Sequence, residues 1–322
     1  MKSEMNSTPL LSVCICTWNR SQSLSRTLNS LVKAAVQFDC KWELIVVNNN
    51  STDDTDKVVQ SFEDRLPIKV IHEKNSGLAN ARNAAVDAAT GEYIVWTDDD
   101  VVVGVQWLNA YANGFRDHPE IALFGGPIKA MFDGVMPKWL ADGWSSAHLP
   151  FCENDLGNRE FALSANPVML PYGANFAVRR LEQLRVQYNP ELGAGPNNRY
   201  HGEETTVMVE LLESGSKGIW LPTAVVEHMN GSDRMNLAYI KKYYIKSGQT
   251  QIRLEPKHEG LYVHRRPTWL WRMILETYCS YLWSRLRKSP AVWLKIYVKH
   301  AIALGKFYEL GKTCAQPETK NK

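Results

Sequence analysis

The sequence has no uninterrupted apolar run of the ~18 residues that a membrane-spanning helix requires. Its N-terminus carries Lys2 but no long apolar stretch. LLSVCIC gives way at once to TWNR, the profile of a buried strand rather than a signal peptide. The protein is therefore expected to stay on the side where it is made, in the cytoplasm. Among the six cysteines (14, 16, 40, 152, 279 and 314) there is no Cys-x-x-Cys pair and no repeated spacing. That argues against a zinc site or a disulfide framework and for reduced, mostly buried thiols. Net charge is also scarce. A formal +3 over 322 residues gives no case for nucleic acid as a partner. Internal repeats and low-complexity tracts are missing, and 44% hydrophobic with 22% charged residues excludes wholesale disorder. The glycine-rich, basic N-terminal phosphate loop that a nucleotidyltransferase would want is lacking too, since TWNRSQSLSRTL contains no glycine.

What is present is an alternation of two periods. LLSVCIC is a continuous β-prone run, as a strand covered on both faces should be. Leu24, Leu28, Leu31, Val32 and Ala35 then fall on one stripe of a helix over 21–38. WELIVV (42–47), a helix from about Thr52, IKVIHE (68–73), a helix over 79–90 ended by Gly91, and EYIVWT (92–97) follow in order. This order predicts an α/β, Rossmann-like, mostly parallel sheet flanked by helices. A further helix (105–116) and the strand IALFGG (121–126) extend it. Residues 127–200, rich in Pro, Gly, Asn and Trp, read as loops and short elements where acceptor specificity would lie. Regular helix returns at 203–214 and from Leu237 onward. The expected division is a catalytic domain over 1–235, with a nucleotide-binding half to about 126 and an acceptor-side half over 127–235. A helical C-terminal extension (236–312) and a flexible tail (313–322) complete it.

Every strand end in the first third is polar: Thr17-Trp18-Asn19-Arg20, Asn48-Asn49-Asn50-Ser51, Glu73-Lys74-Asn75-Ser76-Gly77 and Asp98-Asp99-Asp100. Ligands of parallel sheets sit beyond the carboxyl ends of the strands. These four ends carry side chains suited to a ribose, phosphates and a metal. Three adjacent aspartates are costly to hold together without a cation, because like charges raise each other's pKa. Mg²⁺ or Mn²⁺ removes that cost and bridges to diphosphate oxygens. The plainer alternative is a helix N-cap with a solvated acidic turn.

Taken together, the segments SVCICTWNR, ELIVVNNNSTDDT, NSGLANARNAA, VWTDDD, PYGANFAVRR, ELGAGPNNRYHGEETTVMVELLESG and AVVEHMN resemble, in order and spacing, the landmarks of an inverting family 2 glycosyltransferase with the GT-A fold. The match runs from Ser12 to about Asn230. The resemblance implies a nucleotide-sugar donor, a saccharide or lipid-linked acceptor, and a role in polysaccharide or glycan assembly. It implies that Thr17, Asn19, Arg20, Asn50 and Asn75 border the nucleotide, with Arg82 near the base or phosphates. Asp98 would contact ribose, Asp100 would bind metal with Asp99 able to share that duty, and His228 would approach the metal or diphosphate. Asn48 departs from the family's usual Asp. It can still accept through its amide oxygen but loses the charge-assisted bond to a pyrimidine N–H, which leaves UDP- and dTDP-sugars both open.

Inverting transfer needs one base to take the acceptor hydroxyl proton while the sugar carbon is attacked from the opposite face. Glu203-Glu204 resembles the family's Glu-Asp pair and puts Glu204 in the base position. The alternative is a pair of acids favoured by the helix N-terminus. Gly173-Ala174-Asn175 would bring backbone close to the donor sugar or acceptor, and Trp139 or Trp144 could stack on a sugar face. The rival functions are a nucleotidyltransferase and a catalytically inactive binding protein for sugar nucleotides or membrane surfaces. Between 265 and 312 ten Lys or Arg face two Glu, a local +8 that leaves about −5 for the rest. With Trp269, Trp271, Trp283 and Trp293, the segment is suited to an anionic cytoplasmic membrane face. Packing on the catalytic domain, or in a homodimer, is the competing use of the same aromatics.

Overall fold

A computed structural model describes residues 10–195, 200–254, 261–264 and 266–313. Arg265, residues 196–199 of the glycine-rich stretch, and the expected tail beyond 313 lie outside the described residues. The chain divides into two compact units. The first takes Met1–Met131, Cys152–Asn198 and Gly202–Met229; the second takes Phe132–Phe151, Arg199–His201 and Asn230–Lys322.

In the first unit the expected alternation is realised as β1 (Leu11–Thr17), α1 (Ser21–Ala35), β2 (Trp42–Asn48), α2 (Thr55–Gln60), β3 (Ile68–His72), α3 (Leu78–Ala88) and β4 (Tyr93–Thr97). It continues through β5 (Val101–Val103), α4 (Trp107–Asp117), β6 (Leu123–Gly125) and β7 (Ile128–Phe132). The main sheet has eight strands in the order β3-β2-β1-β4-β9-β6-β10-β8, where β8 is Phe161–Ala162, β9 is Asn175–Arg179 and β10 is Gly218–Trp220. β1 pairs in parallel with β2 and β4, and β2 in parallel with β3. β9 runs antiparallel between β4 and β6. Alternate side chains of the central strands enter different cores. Leu11, Val13 and Ile15 join one cluster with α1 and α4, whereas Cys14, Ile45 and Trp96 join the other with α3. Burial on both faces is why these strands read as unbroken apolar runs. A second sheet, in the order β5-β11-β7, uses β11 (Val226–Asn230).

The second unit contains the short helices α5 (Lys138–Asp142) and α6 (Trp144–Ala147) together with three long ones. α7 (Arg180–Gln183) and α8 (Glu203–Glu213) belong to the first unit; α9 (Leu237–Leu254), α10 (Thr268–Arg287) and α11 (Pro290–Thr313) belong to the second. Pro290 opens α11 at its first turn, where its missing N–H costs no helical bond. α9 and α11 approach to backbone contact. A Cβ on Gly305 would stand 2.1 Å from the Ile245 carbonyl oxygen, and Gly248 Cα is 3.0 Å away from the same point. Phe132–Phe151 packs with these helices rather than with the rest of the expected acceptor-side half. Leu140 and Phe151 are fully buried there, and the Tyr244 hydroxyl donates to the Ser146 carbonyl. No described helix is long and apolar enough to cross a membrane. The described cysteines 14, 16, 40, 152 and 279 are free thiols, of which Cys40 and Cys279 are exposed.

Candidate active site

The polar strand ends meet at one edge of the parallel strands, tied together by asparagine amides. Asn19, at a positive φ of 52°, donates its N–H to Ser51 Oγ (2.9 Å) and accepts from the Thr52 N–H (2.7 Å). This fastens the turn after β1 to the turn after β2. Asn50, also at positive φ, donates its amide to the Lys74 carbonyl. Asn49 donates to the carbonyls of Glu73 and Asn75 and accepts from the Gly77 N–H, closing the loop after β3. Asn75 thus contributes its backbone, while its side chain is at the surface. Asn49 was not among the candidate residues. Its position next to two other strand-end asparagines is the only sequence signal of that role.

Asn48 is buried, accepts from the Ser51 N–H (2.9 Å) and donates to Asp56 Oδ1 (2.7 Å). His72 Nε2 lies 3.1 Å from that same Asp56 oxygen. A carboxylate thus stands beside Asn48, eight residues further along on α2, and it is largely exposed. Nothing in the sequence marks Asp56 for this contact, because its approach to Asn48 depends on how α2 folds back.

The three aspartates have different surroundings. Arg20 Nη1 bridges Asp99 Oδ1 (3.0 Å) and Asp100 Oδ2 (2.8 Å), so a guanidinium already occupies the cationic position between two buried carboxylates. Burial pushes the Asp99 carboxyl up to about 6 against the pull of Arg20 and the Thr17 hydroxyl. Burial also raises Asp98, opposed by Arg82 and aided by Asp100. On its other side Asp100 Oδ1 lies 3.2 Å from His228 Nε2. β11 fixes this pairing: His228 stands opposite Val101, and the Met229 N–H donates to the Asp100 carbonyl (2.9 Å). Among the described residues no three His, Cys, Asp or Glu side chains are grouped to hold a metal ion. The chemistry of a two-donor set still fits one. Neighbouring ligands of an octahedral Mg²⁺-sized ion, at bond lengths of ~2.1 Å, stand ~3.0 Å apart. Such ions take one or two carboxylates from the protein and the rest from phosphates and water.

Behind this edge Arg82 is buried, with its guanidinium 5.4–5.8 Å from the ring centroids of Trp96, Phe176 and Tyr188. Its Nη2 lies 3.8 Å from Asp98 and 3.9 Å from Glu203, and 3.5 Å from the Gly173 carbonyl. A Cβ at Gly173 would meet that nitrogen at 2.5 Å, so a side chain there would displace the guanidinium. Glu203 is buried. Loss of hydration, then the neighbouring Glu204, pushes its carboxyl up to about 8 in spite of Arg82. Glu204, next in the first turn of α8, is half-buried and acts electrostatically on Arg82, Asp98 and Tyr172.

Two segments expected near the sugars are also tied into the fold by their side chains. Asn175 is fully buried. It donates to the Pro127 and Ala224 carbonyls and accepts from Trp107 Nε1 and the Tyr111 hydroxyl, so its amide is saturated by the fold. Ala174 is equally buried. Trp139 is half-buried and packs on Trp293 of α11 at 5.9 Å between ring centres, and Trp144 stacks on Phe151. Both tryptophans pack within the second unit, and both are half-buried.

With this geometry in hand, comparison with protein families finds the glycosyl transferase family 2 model on residues 12–178, just over half of the chain. The chain belongs to glycosyl transferase family 2. It is 26% identical over 251 residues to the succinoglycan biosynthesis protein ExoM of Rhizobium meliloti, spanning 77% of this chain and 76% of that one. Among solved structures it is similar to S. aureus TarS 1–349 in complex with UDP (TM-score 0.53, 17% identity, 95% of this chain and 92% of that one). It is also similar to the mannosyltransferase PcManGT of Pyrobaculum calidifontis in complex with GDP-Man and Mn²⁺ (TM-score 0.51, 15% identity, 97% and 77%). These likenesses give the GT-A fold: a large, mostly parallel sheet flanked by helices, with helices following at the C-terminus.

Proposed function

We propose that this family 2 enzyme is a metal-dependent, inverting hexosyltransferase using a UDP- or dTDP-linked donor. Its acceptor is a saccharide or lipid-linked saccharide, in polysaccharide assembly of the kind that ExoM's name describes. The observation that carries this reading is the pairing of Asp100 with His228 across β5 and β11, beside a guanidinium that already neutralises Asp99 and Asp100. Asp100 and His228 would hold Mn²⁺ or Mg²⁺ with the donor diphosphate, and the ion would stabilise the negative charge that gathers on the leaving diphosphate. Arg20, nearly half exposed, supplies a second cation to the same oxygens.

In the transfer, an acceptor hydroxyl oxygen forms a bond to the sugar's anomeric carbon while the bond from that carbon to the diphosphate oxygen breaks. The diphosphate leaves with the electron pair, and the hydroxyl proton passes to the Glu204 carboxylate. Burial sets the two glutamates apart. Glu203 is enclosed, its carboxyl held well above the ordinary range by burial, and stands beside Arg82, which suits it to hold Arg82 and α8 in place. Glu204 is within reach of solvent and of an acceptor. Asn48 and Asp56 together present the base-reading acceptor, with the carboxylate displaced onto α2.

Thermal melts with UDP, dTDP and GDP, each with and without Mn²⁺, test the reading. A nucleoside diphosphate should raise Tm only when Mn²⁺ is present, and Asp100→Ala should abolish that increment while leaving the ligand-free Tm near wild type. Unchanged metal dependence in Asp100→Ala would place the metal elsewhere.

A further inference from the structure

The side of α10 turned toward the protein carries Leu270 and Ser284, both buried. On another side Trp271, Leu275, Tyr278, Leu282 and Leu286 recur at spacings of four, three, four and four, which at 100° per residue align as one stripe. Every one of them is exposed, from 40% at Trp271 to 86% at Leu286. Over fifteen residues the stripe runs ~22 Å along the helix. A bare apolar stripe of that length is a site for a partner, because monomers rarely leave such a patch in water. At its near end Trp271 meets the Phe307 ring (4.7 Å between centres) and donates its Nε1–H to the Val263 carbonyl, so the open part of the stripe is Leu275, Leu282 and Leu286. At its N-terminal end it borders an apolar groove of ≈ 560 Å³ between α10 and α11, walled by Ile274, Leu275, Tyr278 and Leu304 among others.

The charge around the stripe selects the occupant. Arg272, Arg285, Arg287 and Lys288 flank it against a single acid, Glu276, which pairs with Arg272. Arg287 and Lys288 both lie over the exposed Trp283 ring, at 5.9 and 5.3 Å. An aromatic with a cation above it, beside aliphatic side chains, is the makeup of a helix lying in a lipid headgroup layer. A second copy meeting this face would bring like charges together, whereas an anionic bilayer complements them. We infer that α10 is the membrane-docking surface of this protein, inserting the stripe at the acyl boundary of an anionic lipid surface. α11, the other half of the segment expected to bind membrane, turns most of its apolar side chains inward. Its Trp293, Leu294 and Ala303 are buried in the second unit.

This inference is independent of donor and metal, and flotation of the full chain on vesicles, with neither added, tests it. Most of the protein should float with vesicles of equal parts phosphatidylglycerol and phosphatidylcholine, and about ten-fold less with phosphatidylcholine alone or at high salt. Leu275→Ser with Leu282→Ser keeps the charge and removes two exposed side chains. It should cut recovery on the anionic vesicles about ten-fold with an unchanged thermal melt. If that double variant fails to fold, Leu286→Ser, at the most exposed position, is read the same way. Absence of flotation, or a folded variant that floats like wild type, would overturn the proposal. So would a wild-type dimer that ignores vesicles and that the double variant turns into a monomer; the stripe would then belong to a second copy.

Discussion

Glu203 and Glu204 share the first turn of α8, yet helix geometry turns their side chains about 100° apart, one into the protein and one toward the site. Glu204→Gln keeps shape and hydrogen bonding but cannot take a proton. Turnover should fall ~10²–10⁴-fold with nucleotide binding preserved, measured as nucleoside diphosphate release against donor-induced thermal shift. Glu203 makes a different prediction. Burial and the neighbouring Glu204 push its carboxyl up to about 8 from an ordinary 4.5, so the folded state holds the proton more tightly in between. Its contribution to stability is therefore fully present below pH 4.5 and is lost as pH rises through 8. Glu203→Gln, which mimics the protonated form, should show a smaller fall of Tm from pH 5 to pH 8 than wild type. Equal slopes would mean that Glu203 is ionised beside Arg82.

Asn175 acts at the scale of elements. From the start of β9 its one amide holds the Pro127 carbonyl, the Ala224 carbonyl, Trp107 and Tyr111, and so ties β9 to α4 and to the segments that lead into β7 and β11. Asn175→Ala leaves four buried polar groups without that partner, at roughly 1–3 kcal/mol for each one unsatisfied. Denaturant unfolding should show a loss of several kcal/mol, whereas a sugar-contacting role would cost activity and leave stability near wild type. In the sequence the Gly-Ala-Asn motif reads only as a place where backbone comes close to a sugar; the side-chain network of Asn175 is not legible there, because a local motif says nothing of what lies on either side. β1 to β4 were legible for the opposite reason: their two-sided burial is written locally as apolar runs between helical stripes. β9 was not, since its partners Thr97 and Gly125 are far away in the chain and its five residues carry no alternation. The aspartate run announced the site. The resemblance implies that Asp100 and His228 approach one metal; their direct contact is set by the register of β5 and β11, and the Arg20 bridge by the turn after β1, and neither is written in a local pattern.

At the scale of the whole chain, the second unit is assembled from three stretches, and Phe132–Phe151 is the part that a linear reading gives to the catalytic domain. Its apolar side chains are covered from the C-terminal side. Trp139 packs on Trp293, and Phe151 lies 5.9 Å from Tyr239 between ring centres. Gly143 sits so close to Leu294 that a Cβ there would stand 2.6 Å from it. The Tyr239 and Tyr244 hydroxyls donate to the carbonyls of Pro150 and Ser146. Cutting the chain after Met235 removes α9, α10 and α11 but leaves Leu140, Trp139, Trp144 and Phe151 behind. Each such side chain returned to water costs ~1.5–3 kcal/mol, comparable in sum with the whole stability of a domain. The fragment 1–235 should therefore aggregate, or bind a hydrophobic dye and melt well below the full chain, even though every strand of its main sheet is intact. Light scattering and a thermal melt decide the matter: a monodisperse fragment with the full chain's Tm would show that residues 132–151 need no cover from the helices.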